Sequence, residues 1–525
     1  GGERTVNILT LIACVLLAVG GCFAAIGDYH MLQQNSYFIS RYRKWLCGSL
    51  KKYVGRLAWV IVLLAASFNA ILFLLACAAF AAWEVYISLA KQKKAIQPLV
   101  FTARVKRMMT TNALLLAAAG ALSVFVSSYF LALMIALACF TPLTAVAVIT
   151  INEPAEALVR RRFINDAKRI LREHKPMTII GVTGSFGKTS TKYALARILS
   201  EKYNVALTPG SFNTPLGVVR TVREKLKPAD DVFIVEMGAK NVGDIREICD
   251  IVHPDECLIT SVGPQHLDTF GSIENVARTK FELADAVAEK GGRIYVAADS
   301  EEADKKAAAS GYKCLRYGSK ADCDFVIGGI KSDRCGAAFT VTAGERTLAL
   351  KTRLLGAFNI QNIAGAVAVA LDLGVSERDI AYAVASLEPV SHRLELKPFI
   401  NGSVLIDDAY NSNPTGCMEA VNVLATFDDF RRIIVTPGLV ELGDKEFEYN
   451  FALGEKAAEK CSDIILVGEE RAKPIADGVR ASGRFDKERL HIVKTFKDAM
   501  SLLSTMTDSR TAVLFENDLP DNYAK

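Results

Sequence analysis

The sequence lacks the cysteine patterns that indicate a metal site or a disulfide framework. Its 525 residues include twelve cysteines, spread from Cys14 to Cys461, without a C-x-x-C pair or a Cys/His cluster at zinc spacing. Several lie in apolar runs, where a free thiol packs as a small hydrophobic side chain. The pattern argues against zinc and redox chemistry and favours reduced thiols in contact with a cytosol.

A basic patch of the kind that binds nucleic acid is also missing. The chain has 62 Lys and Arg against 57 Asp and Glu, a net charge of +5. Its basic residues cluster beside apolar segments rather than among aromatic side chains. Basic clusters next to apolar helices are typical of the cytoplasmic side of a membrane. We therefore expect the lipid bilayer to be a partner of this chain, and nucleic acid not to be one.

Charge is absent from the stretch Val6 to Gly27, which is long enough to cross about 30 Å of hydrocarbon as a helix. Further apolar blocks run from residue 57 to about 82 and from 113 to 151. The last block is long enough for two helices with a tight turn near Ser127 and Ser128. These blocks predict a membrane-spanning part in the first third of the chain.

The loops between these blocks disagree with the simplest count of helices. Residues 28–56 and 91–112 each carry six Lys or Arg, so the positive-inside rule places both in the cytoplasm. Four helices would put one loop outside, whereas keeping both inside requires residues 57–90 to form a hairpin or a re-entrant segment. We predict a transmembrane domain of four or five helical segments over residues 1–152. The run Arg160–Arg162 after it favours a multi-pass plasma-membrane protein with its catalytic domains in the cytoplasm.

A phosphate-binding loop follows a predicted helical linker over residues 153–175. The segment MTIIGVTGSFGKTSTKYALARIL predicts an apolar strand, a glycine loop and a helix. Backbone N–H groups and the helix N-terminus of such a loop hold phosphate, its lysine reaches the β and γ phosphates, and the next hydroxyl binds Mg²⁺. Val182 stands where the full pattern has its first glycine. ATP and Mg²⁺ are the predicted cofactors, and the predicted loop residues are Gly184, Ser185, Phe186, Gly187, Lys188, Thr189 and Ser190.

Polar residues also follow other apolar runs. Glu236 ends the run DVFIV, His266 comes shortly after CLITSV, and Asp407 and Asp408 end SVLID. Open α/β sheets bind ligands beyond the carboxyl ends of their parallel strands. We expect these side chains at the ligand-binding edges of their sheets, although strand-end carboxylates also occur in solvated turns without a function.

Seven motifs in a fixed order carry a resemblance to a known family. They are SFNTPLGV (211–218), DVFIVEMGAKNVGDI (231–245), ITSVGPQHLDTFGSIENVARTKFEL (259–283), LLGAFNIQNIAGAVAVA (354–370), SHRLE (391–395), IDDAYNSNPTG (406–416) and GLVELG (438–443). From about residue 176 onwards the chain resembles the Mur ligase family, whose usual loop, T-G-x-x-G-K-T/S, also lacks the first glycine. The resemblance implies an α/β fold after the transmembrane domain. It has a central P-loop domain over 176–388 and a C-terminal Rossmann-like domain over 389–525.

The resemblance implies an amide-forming ligase reaction of cell-wall precursor synthesis. ATP phosphorylates a substrate carboxylate, the amine of an amino acid or dipeptide attacks the acyl phosphate, and an amide, ADP and phosphate result. Thr189, Glu236 and His266 would bind Mg²⁺. Lys280 matches a lysine that several relatives carbamylate to organise a second Mg²⁺. The catalytic set implied by the resemblance is Lys188, His266, Lys280 and Arg393.

Other matched residues concern the nucleotide. Asn359 and Asn362 would lie against it, and Arg393 would meet the γ phosphate when the C-terminal domain closes. Asp408, with Asp407 beside it, would hold the ribose hydroxyls or orient the residues that follow.

The substrate residues implied by the resemblance are Asn213 and Thr214, in a loop that faces the acceptor, together with Tyr410 and Asn411. The chain departs from the family in two places. His392 stands where relatives commonly have a glycine, which puts the hinge in doubt. Gly438 stands where some relatives have an aspartate.

Family members begin with a small domain that binds the uridine diphosphate part of the substrate, and the apolar blocks occupy that place here. We therefore expect the carboxylate on a polyprenyl-linked muropeptide or glycan. One alternative is an ordinary family ligase that acts on a UDP-muramyl peptide and is merely tethered to the membrane. Another is a ligase of the poly-γ-glutamate type.

Two alternatives come from other classes. An ATP-driven transporter of lipid precursors would place charged residues inside its membrane helices, whereas these segments show only Asn7, Asn69, Glu84 and a few Ser and Thr. An inactive scaffold would have lost the lysine of the loop or the carboxylate and imidazole at the strand ends, and all of these are present. The enzyme is thus the expected class.

Overall fold

The computed structural model describes residues 8–95, 97–410 and 412–518, without the side chains of Lys52 and Lys94. Its contacts divide these residues into two compact units, and the boundary follows Arg161.

The first unit consists of helices. Three of them (α1, α4 and α5) are long and apolar enough to cross a membrane, and a fourth span results if α6 and α7, bent by 92°, count as one. A short 3-10 helix covers Leu50–Tyr53. The helices are α1 (Ile8–Gln34), α2 (Ile39–Cys47), α3 (Val54–Ala66), α4 (Ala70–Lys94), α5 (Ala103–Phe125), α6 (Tyr129–Cys139) and α7 (Thr141–Glu173), the last of which continues into the second unit.

The apolar block after residue 57 forms two helices rather than one. Helices α3 and α4 are separated by a break in which the Asn69 side chain accepts hydrogen bonds from the amides of Ile71 (2.9 Å) and Leu72 (3.2 Å). Helix α3 has 13 residues and rises by about 20 Å, less than the hydrocarbon thickness. The block thus contains one helix long enough to span a membrane, α4, and one shorter apolar helix, α3, and the hairpin or re-entrant topology stays a prediction. In the last block, the turn between α5 and α6 includes Ser127 and Ser128, as predicted.

A buried cluster of charged residues lies inside this helical unit. Two of its members, Asp28 and Arg56, were not among the polar residues that the sequence analysis expected in the membrane segments. Helix α1 continues beyond the apolar run and buries Asp28, while Arg56 belongs to α3. Arg56 pairs with Glu84 at 3.3 Å and with Asp28 at 3.6 Å. Asp28 also accepts hydrogen bonds from the hydroxyls of Tyr42 (2.5 Å) and Tyr53 (2.6 Å). Every charge in the cluster has a partner, which fits a structural role. Asn7 lies outside the described residues.

Replacing Arg56 with methionine is expected to destabilise the helical unit. Two buried carboxylates would lose their cation, and breaking a buried ion pair in this way costs about 3–5 kcal/mol. The melting temperature of the detergent-solubilised protein measures the effect. Arg43→Met removes a charge from an exposed position and serves as the control. Equal melting temperatures for the two variants would contradict a stabilising role of the cluster.

The second unit begins with a nine-stranded sheet in the order β2-β3-β1-β4-β5-β6-β7-β8-β9. Neighbouring strands are parallel through the β6–β7 pair, and the last two pairs are antiparallel. The strands are β1 (Thr178–Thr183), β2 (Val205–Leu207), β3 (Val232–Glu236), β4 (Glu256–Ile259), β5 (Arg293–Ala297), β6 (Leu315–Gly318), β7 (Phe325–Asp333), β8 (Gly336–Ala343) and β9 (Arg346–Thr352). The helices are α8 (Lys188–Leu199), α9 (Pro215–Glu224), α10 (Asp244–Val252), α11 (Leu267–Phe270), α12 (Ile273–Ala288), α13 (Glu301–Ala308), α14 (Ala357–Asp372) and α15 (Glu377–Ala385).

The three neighbouring strands β3, β1 and β4 are buried along almost their whole length. A parallel sheet covered on both faces requires such continuous apolar runs, which is why they were recognisable in the sequence. Val182 of β1 lies opposite Glu236 of β3 and Leu258 of β4. The segments that follow these strands therefore leave the same edge of the sheet, and the phosphate-binding loop is one of them.

The C-terminal part of the second unit contains a six-stranded sheet in the order β10-β11-β15-β12-β13-β14. Only β10 is antiparallel to its neighbour. The strands are β10 (Glu395–Pro398), β11 (Val404–Asp408), β12 (Arg431–Thr436), β13 (Asp463–Val467), β14 (Leu490–Val493) and β15 (Thr511–Glu516). The helices are α16 (Pro414–Ala425), α17 (Glu446–Lys460), α18 (Glu469–Ala481) and α19 (Phe496–Met506), with 3-10 helices at Ile400–Gly402, Gly443–Lys445 and Lys487–Arg489. The predicted order, apolar helices followed by parallel α/β sheets, is confirmed.

Candidate active site

The phosphate-binding loop connects β1 to α8 and depends on two glycines. Gly187 has a φ of +80° and Gly184 a φ of +156°. A side chain at Gly187 would overlap the amide of Asn362, and one at Gly184 would overlap the hydroxyl of Thr260. Val182 is still a buried residue of β1, which explains why the loop does without the first glycine of the longer pattern.

Lys188 folds back over this loop. Its Nζ donates hydrogen bonds to the carbonyl oxygens of Gly184 (2.7 Å) and Ser185 (3.2 Å). Burial lowers the pKa of Lys188 from 10.5 to about 8, the charge of Arg393 acts in the same direction, and Glu236 opposes both. The lysine is still largely a cation at neutral pH, as phosphate binding requires.

The affinity for ATP is expected to fall as the pH rises above about 8. The free protein loses the Lys188 proton there and must take it up again to bind phosphate, so Kd rises by up to about tenfold per pH unit above pH 8. The pKa of Lys188 in the unfolded chain, 10.5, is also higher than its value of about 8 in the folded protein. Between these two pH values the unfolded chain holds more protons, so the contribution of Lys188 to stability rises with pH. Isothermal titration calorimetry from pH 7 to 9.5 measures Kd. Lys188→Arg, which stays charged, should lack the trend. A flat profile for the native protein would contradict the assignment.

The end of β3 brings together three predicted site residues. The hydroxyl of Thr189 donates to Glu236 Oε1 at 3.2 Å, and the side-chain amide of Asn213 donates to the same oxygen at 3.0 Å. Glu236 is almost fully buried. Burial opposes its ionisation, but the charges of Lys192 and Lys188 outweigh this effect and keep its pKa below the ordinary value. Its carboxylate and the neighbouring hydroxyl are oxygen donors of the kind that Mg²⁺ prefers.

Lys192 is a site residue that the sequence analysis missed. Its Nζ donates to Glu236 Oε2 at 2.8 Å and to the Gly210 carbonyl at 2.6 Å, and its side chain is completely buried. Burial lowers its pKa, and Glu236 acts in the opposite direction. The spacing contained a signal, because Lys192 lies four residues after Lys188 and therefore faces the same side of α8.

His266 lies just before α11, in the left-handed conformation with a φ of +50°. Its Nδ1 is hydrogen-bonded to Oε2 of Glu441, a residue of the C-terminal domain. Within the described parts of the chain, no three His, Cys, Asp or Glu side chains are grouped closely enough to hold a metal ion. Glu236 and His266 therefore do not form a complete ligand set by themselves, and phosphate oxygens usually complete a Mg²⁺ site of this kind.

Lys280, on α12, is almost fully buried. Burial holds its pKa well below 10.5, the nearby charge of Lys188 acts in the same direction, and Asp244 and Glu282 oppose it. This shift favours the neutral amine over the cation. A neutral amine is the form that reacts with CO₂, so the environment suits the carbamylation that the resemblance implies.

A cavity of about 320 Å³ lies beside α8, within the size range of small-molecule sites. Asn359 and Arg393, both predicted to be nucleotide residues, line it together with Ser190. Asn359 also donates to the Leu355 carbonyl at 2.8 Å. The remaining lining residues are Tyr193, Ala194, Arg197, Leu354, Ser386, Leu387, Glu388, Pro389 and Val390.

Arg393 stands between two residues in the left-handed region, His392 (φ +60°) and Leu394 (φ +48°). The first is the position where relatives commonly have glycine, and the backbone conformation explains that preference. Here the imidazole of His392 is hydrogen-bonded through Nδ1 to Asp407 Oδ2 at 2.8 Å, which offsets part of the strain. The guanidinium of Arg393 lies 4.8 Å from the centre of the Tyr410 ring.

Asp408 is engaged inside the C-terminal domain and does not line the cavity. Its Oδ1 accepts a hydrogen bond from the Leu394 amide at 3.1 Å, and it lies opposite Glu516 across β11 and β15. Burial raises the pKa of both carboxyl groups, and the pair is a neighbour of Arg393. The ribose role of Asp408 stays a prediction.

Among the described substrate residues, Tyr410 connects the two α/β domains. The Tyr410 hydroxyl donates to Ser211 Oγ at 2.8 Å, next to the loop that carries Asn213. Thr214 caps α9 by accepting from the Gly217 amide at 3.3 Å, which is also a structural role. Asn411 lies outside the described residues.

Gly438 follows β12 with a φ of +87°. A side chain there would press on the amide of Asn450, and the Gly438 carbonyl accepts from Asn517 Nδ2 at 2.7 Å. The aspartate of some relatives is therefore not replaced by another carboxylate at this point. The carboxylate that faces the central domain is Glu441, three residues further on.

Comparison with known proteins places this geometry in a family. Residues 182–370 match the model of the Mur ligase middle domain, and residues 392–516 match that of the Mur ligase glutamate ligase domain. Among curated relatives, three ligases named UDP-N-acetylmuramoyl-tripeptide--D-alanyl-D-alanine ligase are similar. The Bacillus subtilis protein is 28% identical over 64% of this chain and 72% of its own length. The Escherichia coli protein is 30% identical over 59% and 69%, and the Mycobacterium tuberculosis protein 33% over 56% and 59%.

Solved structures of the same family are also similar to this chain. MurF from Acinetobacter baumannii superposes with a TM-score of 0.62 at 26% identity, over 68% of this chain and 77% of that one. MurF ligase from Thermotoga maritima in complex with ADP has a TM-score of 0.60 at 25% identity, over 68% and 80%. Both family domains are thus present in order, and the phosphate-binding loop lies in the first of them. The chain belongs to the Mur ligase family of ATP-dependent, amide-forming ligases.

Proposed function

We propose that this protein is a MurF-like ligase that joins D-alanyl-D-alanine to the tripeptide carboxylate of a muramyl precursor, with ATP as the energy source. The named relatives support this substrate pair, and the MurF complex with ADP supports the nucleotide. The observation that carries the proposal is the packing of Thr189, Asn213 and Lys192 around the buried Glu236 at the phosphate-binding loop.

The first chemical step forms an acyl phosphate. The substrate carboxylate attacks the γ phosphorus of ATP, and ADP leaves. The loop amides and Lys188 hold the phosphates, and Arg393, beside the same cavity, can meet the γ phosphate. Phosphoryl transfer depends mainly on such positioning and charge neutralisation. Glu236, Thr189 and His266 would hold Mg²⁺, which neutralises phosphate charge when bound.

The second step forms the amide. The amine of the dipeptide attacks the acyl carbonyl carbon, phosphate leaves, and the amine loses a proton. The contact of Tyr410 with Ser211 joins the C-terminal domain to the loop before Asn213, and closure at this point would exclude water from the acyl phosphate. Lys280, in its carbamylated form, would add a negative charge to the metal region.

The helical unit suits a membrane anchor with the ligase domains in the cytoplasm. Three of its helices have the length and composition of membrane spans, and the basic loops support the orientation. The relatives favour a UDP-linked precursor over the polyprenyl-linked one. The lipid-linked carrier remains a second candidate, because the helical unit lies outside the segments that match the two family domains.

The test measures ADP release by the detergent-solubilised full chain with Mg²⁺ and D-alanyl-D-alanine. A UDP-linked muramyl tripeptide is compared with its polyprenyl-linked counterpart, and Lys188→Ala is the inactive control. We expect turnover of the UDP-linked form, lost in the variant. Turnover of the lipid-linked form alone would favour the second candidate and make the helical unit part of the substrate site. No turnover of either would refute the substrate assignment.

A further inference from the structure

Glu441 reaches from the C-terminal domain to two side chains of the central domain. One carboxylate oxygen is hydrogen-bonded to Nδ1 of His266, and the other lies 3.3 Å from Nζ of Lys240. The Glu441 carbonyl also accepts from the amide of Asp268 at 3.4 Å. Backbone and side chain of one residue thus hold the loop after β12 against the segment around α11.

The receiving surface is organised by the central domain itself. The hydroxyl of Thr269 donates to the Lys240 carbonyl at 2.6 Å and to the His266 carbonyl at 3.0 Å. These hydrogen bonds connect the loop that carries Lys240 to the segment that carries His266. The Lys240 ammonium and the His266 imidazole therefore contact the same Glu441 carboxylate. Glu441 has a left-handed φ of +63°. This conformation is unfavourable for a residue with a side chain, and the contacts with the central domain help to hold it.

A carboxylate on one ring nitrogen determines the tautomer of a histidine. Nδ1 then carries the proton, and Nε2 keeps the lone pair that a metal ion needs. Histidines that bind metal ions almost always donate their other N–H to such a partner. In this chain the partner belongs to a different domain, so it is available only while the two domains are in contact.

We propose that Glu441 is a positioning residue that makes the metal-binding tautomer of His266 depend on contact between the central and C-terminal domains. The inference rests on the proposed function, because it concerns the metal site of the ligase reaction. Phosphoryl transfer would then require contact between the two domains. ATP would be consumed only while the C-terminal domain covers the site and shields the acyl phosphate from water.

The test compares Glu441→Ala with Asp444→Asn, a carboxylate in the same loop that is exposed. Mn²⁺ binding to the full chain, with a non-hydrolysable ATP analogue, is measured by electron paramagnetic resonance. We expect Glu441→Ala to weaken Mn²⁺ binding about 10- to 100-fold and to lower kcat with little change in KM for ATP. Asp444→Asn should match the native protein. Glu441→Met, which keeps the length of the side chain but offers no oxygen acceptor to His266 Nδ1, is the substitute if the alanine variant does not fold.

A double-variant cycle separates this role from general stability. In a His266→Ala background, Glu441→Ala should have no further effect on Mn²⁺ affinity. Native Mn²⁺ affinity and kcat in Glu441→Ala, or equal losses in both backgrounds, would overturn the proposal. If the native protein releases no ADP with any muramyl substrate but Glu441→Ala still weakens Mn²⁺ binding, the proposed substrates fail while the role of Glu441 stands.

Discussion

Lys192→Met is expected to abolish most ligase activity and to destabilise the central domain. The substitution keeps the length of the side chain but removes the cation that pairs with Glu236 at 2.8 Å, where both residues are buried. Leaving one member of such a pair alone costs about 3–5 kcal/mol. Without Lys192 the pKa of Glu236 would rise, which favours the protonated carboxyl group, a poor metal ligand. We expect ADP release to fall at least about 100-fold, a loss typical of a missing electrostatic contact in an active site.

Two controls distinguish the effect on stability from the effect on catalysis. Lys225→Met removes an exposed lysine at the end of α9 and should change neither melting temperature nor turnover. The double variant Lys192→Met/Glu236→Gln removes both charges, so it should recover most of the melting temperature but none of the activity. A Lys192→Met protein with native stability and turnover would show that the ion pair has no role in the site.

Lys280→Met is expected to lower activity about 10²- to 10³-fold without lowering stability. Burial lowers the pKa of the native lysine and favours the neutral amine, and methionine occupies a similar volume without the cost of burying an amine. Stability should therefore stay equal or increase. Activity should fall because methionine cannot form the carbamate that would add a negative charge beside the phosphates.

The carbamate itself is measurable. After equilibration of the native protein with ¹³C-bicarbonate, a carbamate carbon resonance is expected in the ¹³C spectrum and should be absent from the Lys280→Met variant. Lys290→Met, in the turn after α12, is the matched control for a lysine on the surface. Full turnover by Lys280→Met, together with no carbamate signal in the native protein, would leave Lys280 as a structural residue.

Local sequence was sufficient for the phosphate-binding loop and its surroundings. A strand, a glycine loop and a helix are adjacent in the chain, and Lys188 contacts loop carbonyls only three and four residues away. The ends of β1 and β3 were also predictable as neighbours of one site. Buried parallel strands have continuous apolar runs, and their carboxyl ends share one edge of the sheet.

Charged side chains far apart in sequence were not predictable in this way. Asp28 and Arg56 were assigned to a loop because apolar runs end before buried helices do, and only the packing of α1, α3 and α4 makes them partners. Lys192 would have passed for a surface lysine of α8. Its burial depends on the loop before α9, whose Gly210 carbonyl accepts a hydrogen bond from Lys192.

The sequence by itself determined the family, the order of the domains, the cofactor-binding loop and the strand-end carboxylate. Each of these depends on residues that are close in the chain or that follow a periodic apolar pattern. Tertiary structure alone decided which partner each buried charge has. Glu441 meets His266 across 175 positions, because two domains pack against each other. A charge is neutralised by whichever group the packing brings within reach, and no local pattern records that choice.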